Sequence, residues 1–388
     1  MKIGFLGDSI NYVTAYAKVA NGMVKGMQKL GHECVSFSLQ WQGAPGMHEG
    51  ITVYPASDAQ SMERGIMEAK ADVVISVRDA WVHTQRWYSG PGRTPYNVKA
   101  WTSRYGGKAV IYSPVQSDPL PSDYIATVND ASDFFYTMSE YGRKALVDGG
   151  APSAKVGVLY HGVDPNVFRP LVLNAEGRKT YRRKHGLPEE GTMLMFIGLH
   201  IDGRKMQPLL MKAFVEYLKQ DPSAFLYMHC DPVQFYALDT HAKALGLAGR
   251  GKLFLKKDAG VMWGVPDAEI NELMNCADVY VSLSSAEGFD YPAAEAAVSG
   301  LPLVLTDLPV HRELFGDAPG VRLIPSRKIM PTVWSLDWLA DPEAAAGCIA
   351  EAVEAGKGQE RKQWMPDRFN WGLICAQLDS KLMEVTKK

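Results

Sequence analysis

Charge of one sign is what this chain lacks first. Its 41 Lys and Arg nearly balance its 43 Asp and Glu, for a formal net charge of −2. Bulk charge therefore supplies no drive toward nucleic acid or an anionic membrane. Cysteine is scarce. Cys34, Cys230, Cys276, Cys348 and Cys375 are widely spaced and none forms a C-x-x-C pair. An odd, scattered set argues against a disulfide framework and against a zinc site, and suits buried thiols in a reducing compartment. No apolar run approaches the ~18 residues of a membrane span. The opening stretch to Leu6 is too short for a signal peptide and is broken by Asp8. A cytoplasmic location is expected, with a peripheral membrane contact left open. Low-complexity segments and short repeats are missing, and so is any D-x-D sequence.

What is present is a globular composition, 46% hydrophobic and 22% charged over 388 residues. That length is comfortable for two domains. Short apolar runs alternate with amphipathic ones. Strands are expected at 2–6, 33–37, 73–77, 109–112, 134–137 and 156–159, with a helix over 13–30 that stops at Gly31. The alternation pauses after Pro170 and restarts with a strand at 193–197, a helix at 208–218, and strands at 224–228, 253–255, 279–283, 303–305 and 321–324. A terminal helix is expected from Trp371 to Met383. Continuous apolar strands between helices predict parallel sheets covered on both faces. The expected plan is a domain over 1–170, a linker over 171–191, a second domain over 192–369, and a helix over 370–388 returning to the first domain. Two such doubly wound domains facing each other would leave a cleft for a ligand.

The most informative segment is 284–302, SSAEGFDYPAAEAAVSGLP. A strand runs into a loop, Pro292 opens a helix, and Gly300 closes it. The N–H groups of Gly288, Phe289 and Asp290 with the helix start suit a diphosphate. Glu287 and Glu295, with seven residues between them, can accept hydrogen bonds from the hydroxyls of a polyol. A second cluster follows the strand at 193–197: Asp202, Gly203, Arg204 and Lys205. Arg204 offers a planar fork and Lys205 a point charge for phosphate oxygens.

These residues resemble the family 4 glycosyltransferases, a retaining group with the GT-B fold and an E-x7-E motif. Glu287, Gly288, Phe289, Pro292, Glu295, Ala296, Gly300 and Pro302 stand in matching places. Asp290 and Tyr291 depart from the group's usual Gly-Leu, and Met206 replaces its common Gly. The resemblance implies two facing doubly wound Rossmann-like domains and transfer of a sugar from a nucleotide-diphosphate donor, a UDP- or GDP-sugar. It implies that Glu287 contacts the donor sugar's hydroxyls near the reaction centre, that Glu295 holds the ribose, and that Arg204 and Lys205 stabilise the leaving diphosphate. Gly203, Tyr291, Gly264 and Val265 join the donor side, the latter two as a backbone loop around the base. No metal or other cofactor is expected, because basic residues and a helix terminus take its place. Transfer on one face of the sugar, with the departing phosphate taking the acceptor proton, needs no protein nucleophile.

The first domain would take the acceptor. Asp8 and Ser9 follow its first strand, Asp79 and Trp81 its third, Gln116 and Asp118 its fourth, and His161 lies in the closing HGVDPNVFRP segment. A glycan, a lipid-linked sugar or another hydroxyl compound could fill that place, and the charge balance disfavours nucleic acid. A non-catalytic nucleotide-sugar or glycan-binding protein of the same fold is the alternative. The intact Glu287, Arg204, Lys205 and Glu295 set argues against it.

Overall fold

A computed structural model describes residues 1–83, 95–171, 174–199, 203–230, 237–256, 264–329 and 336–387. The chain folds as two compact units, Met1–Gly162 with Asp367–Lys388 and Val163–Pro331 with Leu336–Pro366.

The first unit runs β1 (Lys2–Gly7), α1 (Ala15–Lys29), β2 (Glu33–Ser38), β3 (Gly46–His48), β4 (Ile51–Pro55), α2 (Ala59–Ala69) and β5 (Val73–Val77). It continues with α3 (Val98–Ser103), β6 (Lys108–Tyr112), α4 (Ser122–Asp130), β7 (Phe134–Thr137), α5 (Glu140–Asp148) and β8 (Val156–Val158). Among the described residues its strands lie in the order β3-β4-β2-β1-β5-β6-β7-β8. Every pair is parallel except β3 with β4. Val73–Val77 is buried at every position, as a strand covered on both faces must be. α1 begins two residues later than its apolar pattern suggests. Thr14 is spent as its cap, its hydroxyl accepting from the Ala17 N–H at 3.1 Å. Gly31 follows the helix in the left-handed conformation, φ +87°.

The second unit begins with α6 (Ala175–Lys184) and β9 (Met193–Ile197), then α7 (Gln207–Tyr217), β10 (Phe225–His229), α8 (Leu238–Ala244) and β11 (Leu253–Leu255). α9 (Asp267–Cys276), β12 (Val279–Ser282), α10 (Tyr291–Val298), β13 (Leu303–Thr306), α11 (Pro309–Phe315) and β14 (Arg322–Ile324) follow. These strands form a parallel sheet in the order β11-β10-β9-β12-β13-β14. An antiparallel pair, β15 (Ser326–Ile329) with β16 (Asp337–Ala340), precedes α12 (Pro342–Gly356). Leu194, Phe196, Leu210, Phe214, Val281 and Ile349 are among the fully buried side chains of this unit's core.

The stretch 171–191, expected as a linker, holds α6. Asn174 caps it, accepting from the Gly177 N–H at 2.8 Å. Arg178 and Arg182 then reach the Cys276 carbonyl at the end of α9 and the Asp278 carboxylate. Cations suit a helix C-terminus, where carbonyls lack intrahelical partners. The helix carries no apolar stripe, since of its residues only Arg182 is buried.

The chain closes with α13 (Trp371–Lys387), which belongs to the first unit. It lies against α1 where Gly22 and Gly26 leave room. A Cβ at Gly22 would stand 2.2 Å from a Trp371 ring carbon, and one at Gly26 2.2 Å from the Cys375 sulfur. His32 adds a hydrogen bond from the first unit's edge, its Nε2 2.9 Å from Asp379 Oδ1.

Candidate functional site

In the second sheet the chain builds outward from β9 through β10 to β11, then returns to the other side of β9 with β12. The loops leaving the C-terminal ends of β9 and β12 therefore flank a topological switch point, where open parallel sheets take ligands. One loop carries Gly203, Arg204 and Lys205, and the other runs from Ser284 to Asp290. Asp202 lies outside the described residues.

The first loop is a tight turn. Gly203 has φ +73° and Met206 φ +50°, and the Met206 N–H donates to the Gly203 carbonyl at 3.0 Å. Left-handed geometry is free for Gly and costs Met about 1 kcal/mol. Ser285 stitches the two loops together. Its N–H donates to the Arg204 carbonyl at 2.9 Å and its hydroxyl to the same oxygen at 3.3 Å. Its own carbonyl accepts from the Trp338 N–H at 2.9 Å, which brings β16 to the same place.

This scaffold gathers four charges. Arg204 Nη1 donates to Glu287 Oε2 at 2.7 Å and to the Ala286 carbonyl at 2.8 Å. Lys205 Nζ donates to Glu287 Oε1 at 2.5 Å and lies 3.4 Å from Asp290 Oδ1. Lys205, Glu287 and Asp290 are all below a tenth exposed. Charges so far from water persist only when paired. Here two cations meet two carboxylates. Burial pushes the Asp290 carboxyl up, but Lys205 and His311 outweigh it and hold it well below the usual carboxylate range.

The residues singled out in sequence thus fall into groups. Arg204, Lys205, Glu287 and Asp290 form one ion-pair cluster. Gly288, Phe289 and Tyr291 are buried beside it in the same loop and first turn, and the Phe289 and Tyr291 rings stand 6.3 Å apart. Glu295 is buried in the second turn of α10. Gly264 (φ +37°) and Val265 are half-buried at the entry to α9, after β11 and hence on the same sheet edge. Two partners escaped sequence reasoning. His311 sits on α11 with Nε2 3.2 Å from Asp290 Oδ2. Asp337 Oδ2 accepts from the Ser285 hydroxyl at 3.1 Å. The available signal for His311 was its position, two residues after the Pro309 that opens a helix at the end of a strand.

The first sheet has its own switch point, between β1 and β5. Asp8 and Ser9 follow β1, and Asp79 follows β5. Arg78 Nη1 donates to Asp8 Oδ1 at 2.8 Å, Gln40 Nε2 to the same oxygen at 3.2 Å, and the Thr14 hydroxyl to Asp8 Oδ2 at 2.6 Å. The Ser9 N–H donates to Gln40 Oε1 at 2.7 Å. The Tyr16 hydroxyl donates to Asp79 Oδ1 at 2.9 Å. Burial and then Asp79 push the Tyr16 phenol up, so it stays a neutral donor. Arg78, Gln40, Thr14 and Tyr16 are the partners that the sequence did not advertise. Trp81 is 39% exposed on the turn after Asp79. Gln116 and Asp118 are half-buried after β6, where Asp118 accepts from the Tyr141 hydroxyl at 3.2 Å. His161 is buried against Tyr112 at the end of the unit. The Tyr112 hydroxyl donates to the Leu159 carbonyl, so the His161 Nδ1 proton is the one that bridges to it at 2.8 Å.

Comparison with known proteins places these geometries in context. Residues 177–352, within the second unit, match the family model for glycosyl transferases, group 1. D-inositol 3-phosphate glycosyltransferase of Nocardioides sp. is 27% identical over 269 residues, 62% of this chain and 55% of that protein. The chain spans about half the length of the curated relatives it matches. Sucrose-phosphate synthase of Thermosynechococcus elongatus superimposes with a TM-score of 0.68 at 14% identity, over 100% of this chain and 99% of that one. The Anabaena protein HepE, solved in complex with UDP and glucose, gives 0.67 at 15% identity, over 99% of this chain and 100% of that one. These likenesses span both units, and the fold is GT-B, two doubly wound Rossmann-like α/β units in one chain.

Proposed function

We propose that the chain is a retaining glycosyltransferase of family 4 that moves a sugar from a nucleoside-diphosphate donor to a hydroxyl acceptor. One observation carries the reading. The residues that the motif marks for donor chemistry meet as a buried ion-pair cluster at the switch point of the second sheet.

In this reading Arg204 and Lys205 exchange their carboxylate partners for the donor diphosphate. Negative charge grows on that group as the glycosidic bond breaks, and two fixed cations in a poorly solvated site stabilise it. The N–H groups of Gly288, Phe289, Asp290 and Tyr291 at the start of α10 add fixed dipoles toward the phosphates. Glu287, released from the cations, accepts from the sugar's hydroxyls, and Glu295 accepts from the ribose. Gly203, Gly264 and Val265 contribute backbone to the diphosphate and the base. The leaving phosphate oxygen takes the acceptor's proton as the acceptor oxygen bonds to the anomeric carbon on the face just vacated. The cations do the work that a divalent metal does elsewhere, so no metal enters the reaction.

The acceptor falls to the polar network of the first unit. Asp8, Ser9 and Asp79 supply groups for hydroxyls, Trp81 an apolar face, and Gln116, Asp118 and His161 line the same side. A sugar, a glycan or a lipid-linked hydroxyl compound fits those groups, and a lipid-linked one would bring the chain to a membrane surface from the cytoplasm. The Anabaena neighbour's UDP and glucose make UDP-sugars the first donors to try.

The test is a panel of UDP-, GDP- and ADP-sugars incubated with the protein in the presence of EDTA. Release of one nucleoside diphosphate, slow alone and faster with an acceptor, is the expected result. No release from any donor, with or without added magnesium or manganese, would refute the reading.

A further inference from the structure

Asp290 behaves unlike an aspartate at a helix start. Asp is favoured at an N-cap because its carboxylate accepts from the first-turn N–H groups. Asp290 is the N-cap of α10, yet its side chain makes no cap hydrogen bond. It also holds φ +66°, a conformation natural to Gly and strained for most other residues. The residue gives up the cap, and its carboxylate turns inward instead. There it stands wholly buried between Lys205 Nζ, 3.4 Å from Oδ1, and His311 Nε2, 3.2 Å from Oδ2.

The proton count at that second contact is constrained. His311 Nδ1 lies 2.8 Å from the Thr306 carbonyl, which can only accept, so Nδ1 carries a proton. A neutral His311 would then leave an Nε2 lone pair 3.2 Å from a carboxylate oxygen, two acceptors close together without solvent. Neither atom has a hydrogen-bond partner, and each is the other's nearby polar neighbour at 3.2 Å. An imidazolium at His311 would make that contact attractive, opposite Lys205 on the carboxylate's other oxygen.

We propose that Asp290 and His311 form an ion pair that positions Lys205 for the donor diphosphate and lets it be handed over. The inference rests on the glycosyltransferase reading above. Lys205 ends a flexible four-carbon stem, and carboxylates on either side of its ammonium, Glu287 and Asp290, fix where it points. When phosphate draws Lys205 away, Asp290 would be stranded as a bare buried charge if it had no other partner. His311 remains with it. The surrounding charged groups are Arg204 and Glu287, and Tyr280 nearby is held neutral by burial and by the acids around it. His311 and Asp290 are thus positioning residues, and Asp290 at a place where the family uses Gly is what makes a partner like His311 necessary.

A double-mutant cycle separates this from a packing role. Asp290→Asn keeps the shape and tolerates a left-handed φ, and His311→Gln keeps a donor for Thr306. UDP, GDP and ADP affinities are measured by calorimetry for wild type, both single variants and the pair, and all four are melted without nucleotide. His311→Gln is expected to weaken binding of the cognate nucleotide about tenfold or more when Asp290 is present. In the double variant, where a neutral amide replaces that carboxylate, the same change is expected to cost less than about threefold. Asp290→Asn alone is expected to lower turnover more than affinity. Equal factors in both backgrounds would overturn the positioning role. If wild type binds no nucleoside diphosphate, the glycosyltransferase reading is what fails. The melts then still decide the pair: coupled shifts in Tm uphold it, and additive ones overturn it.

Discussion

At the scale of single residues, the core also holds buried polar groups, and some of them are histidines whose charge burial controls. His83 and His161 are wholly enclosed, and burial pulls the first down to about 4 and the second to about 3. Each keeps a neutral ring with a committed hydrogen bond, His83 to the Tyr96 carbonyl and His161 to the Tyr112 hydroxyl. The unfolded chain takes up these protons near pH 6.5, well before the folded chain does. Above that pH neither state binds them and stability is unaffected. As pH falls from 6.5 toward 4 the unfolded state gains protons that the native state refuses. Each histidine then costs up to about 1.4 kcal/mol per pH unit. Thermal melts at pH 7.5, 6.5, 5.5 and 4.5 should show Tm falling across the last three, with a shallower fall in His161→Gln. A flat Tm over that range would contradict the buried neutral histidines.

At the scale of elements, close approach decides what packs. α1 receives α13 only because positions 22 and 26 lack side chains. Replacing Gly26 with Ala adds helix propensity worth about 1 kcal/mol but drives a methyl into Cys375. Overpacking of this kind costs about 1–3 kcal/mol. Gly26→Ala should lower Tm slightly and Gly26→Leu by several degrees more, with the exposed Lys25→Ala as control. Equal melts for all three would place α13 elsewhere. The same logic explains what the sequence could and could not reveal. Strands such as Val73–Val77 and Met193–Ile197 are legible because both faces are buried and every residue is apolar or nearly so. Helix α6 is hidden because arginines, not an apolar stripe, hold it down. Strand β3 and the β15–β16 pair are short, mostly half-exposed and without the apolar run that marks a parallel strand. In the candidate site, Arg204, Lys205 and Glu287 stand out because motif spacing and strand-to-helix position coincide. His311, Arg78 and Asp337 do not, because their partners in the site lie far off along the chain, at Asp290, Asp8 and Ser285, and local spacing does not encode those pairings.

At the scale of the whole molecule, the two units repeat one device. Each sheet reverses at a switch point, and each switch point joins a carboxylate from one loop to an arginine from the other: Asp8 to Arg78 at 2.8 Å, Glu287 to Arg204 at 2.7 Å. On the proposed reading, that pairing in the second unit leaves Glu287 on the cations that a diphosphate would take. The proposed function then has the resting arrangement competing with the donor, and the same carboxylate serving the sugar once displaced. Glu287→Gln separates the two effects. The variant removes the competitor and the hydroxyl acceptor in one step, while keeping the shape. The decisive measurement is nucleoside diphosphate affinity and donor turnover of Glu287→Gln beside wild type. The account predicts affinity unchanged or tighter, by up to about tenfold, with turnover lost. Turnover retained, or affinity collapsing together with it, would contradict the claim that this cluster is where the donor is held and cleaved.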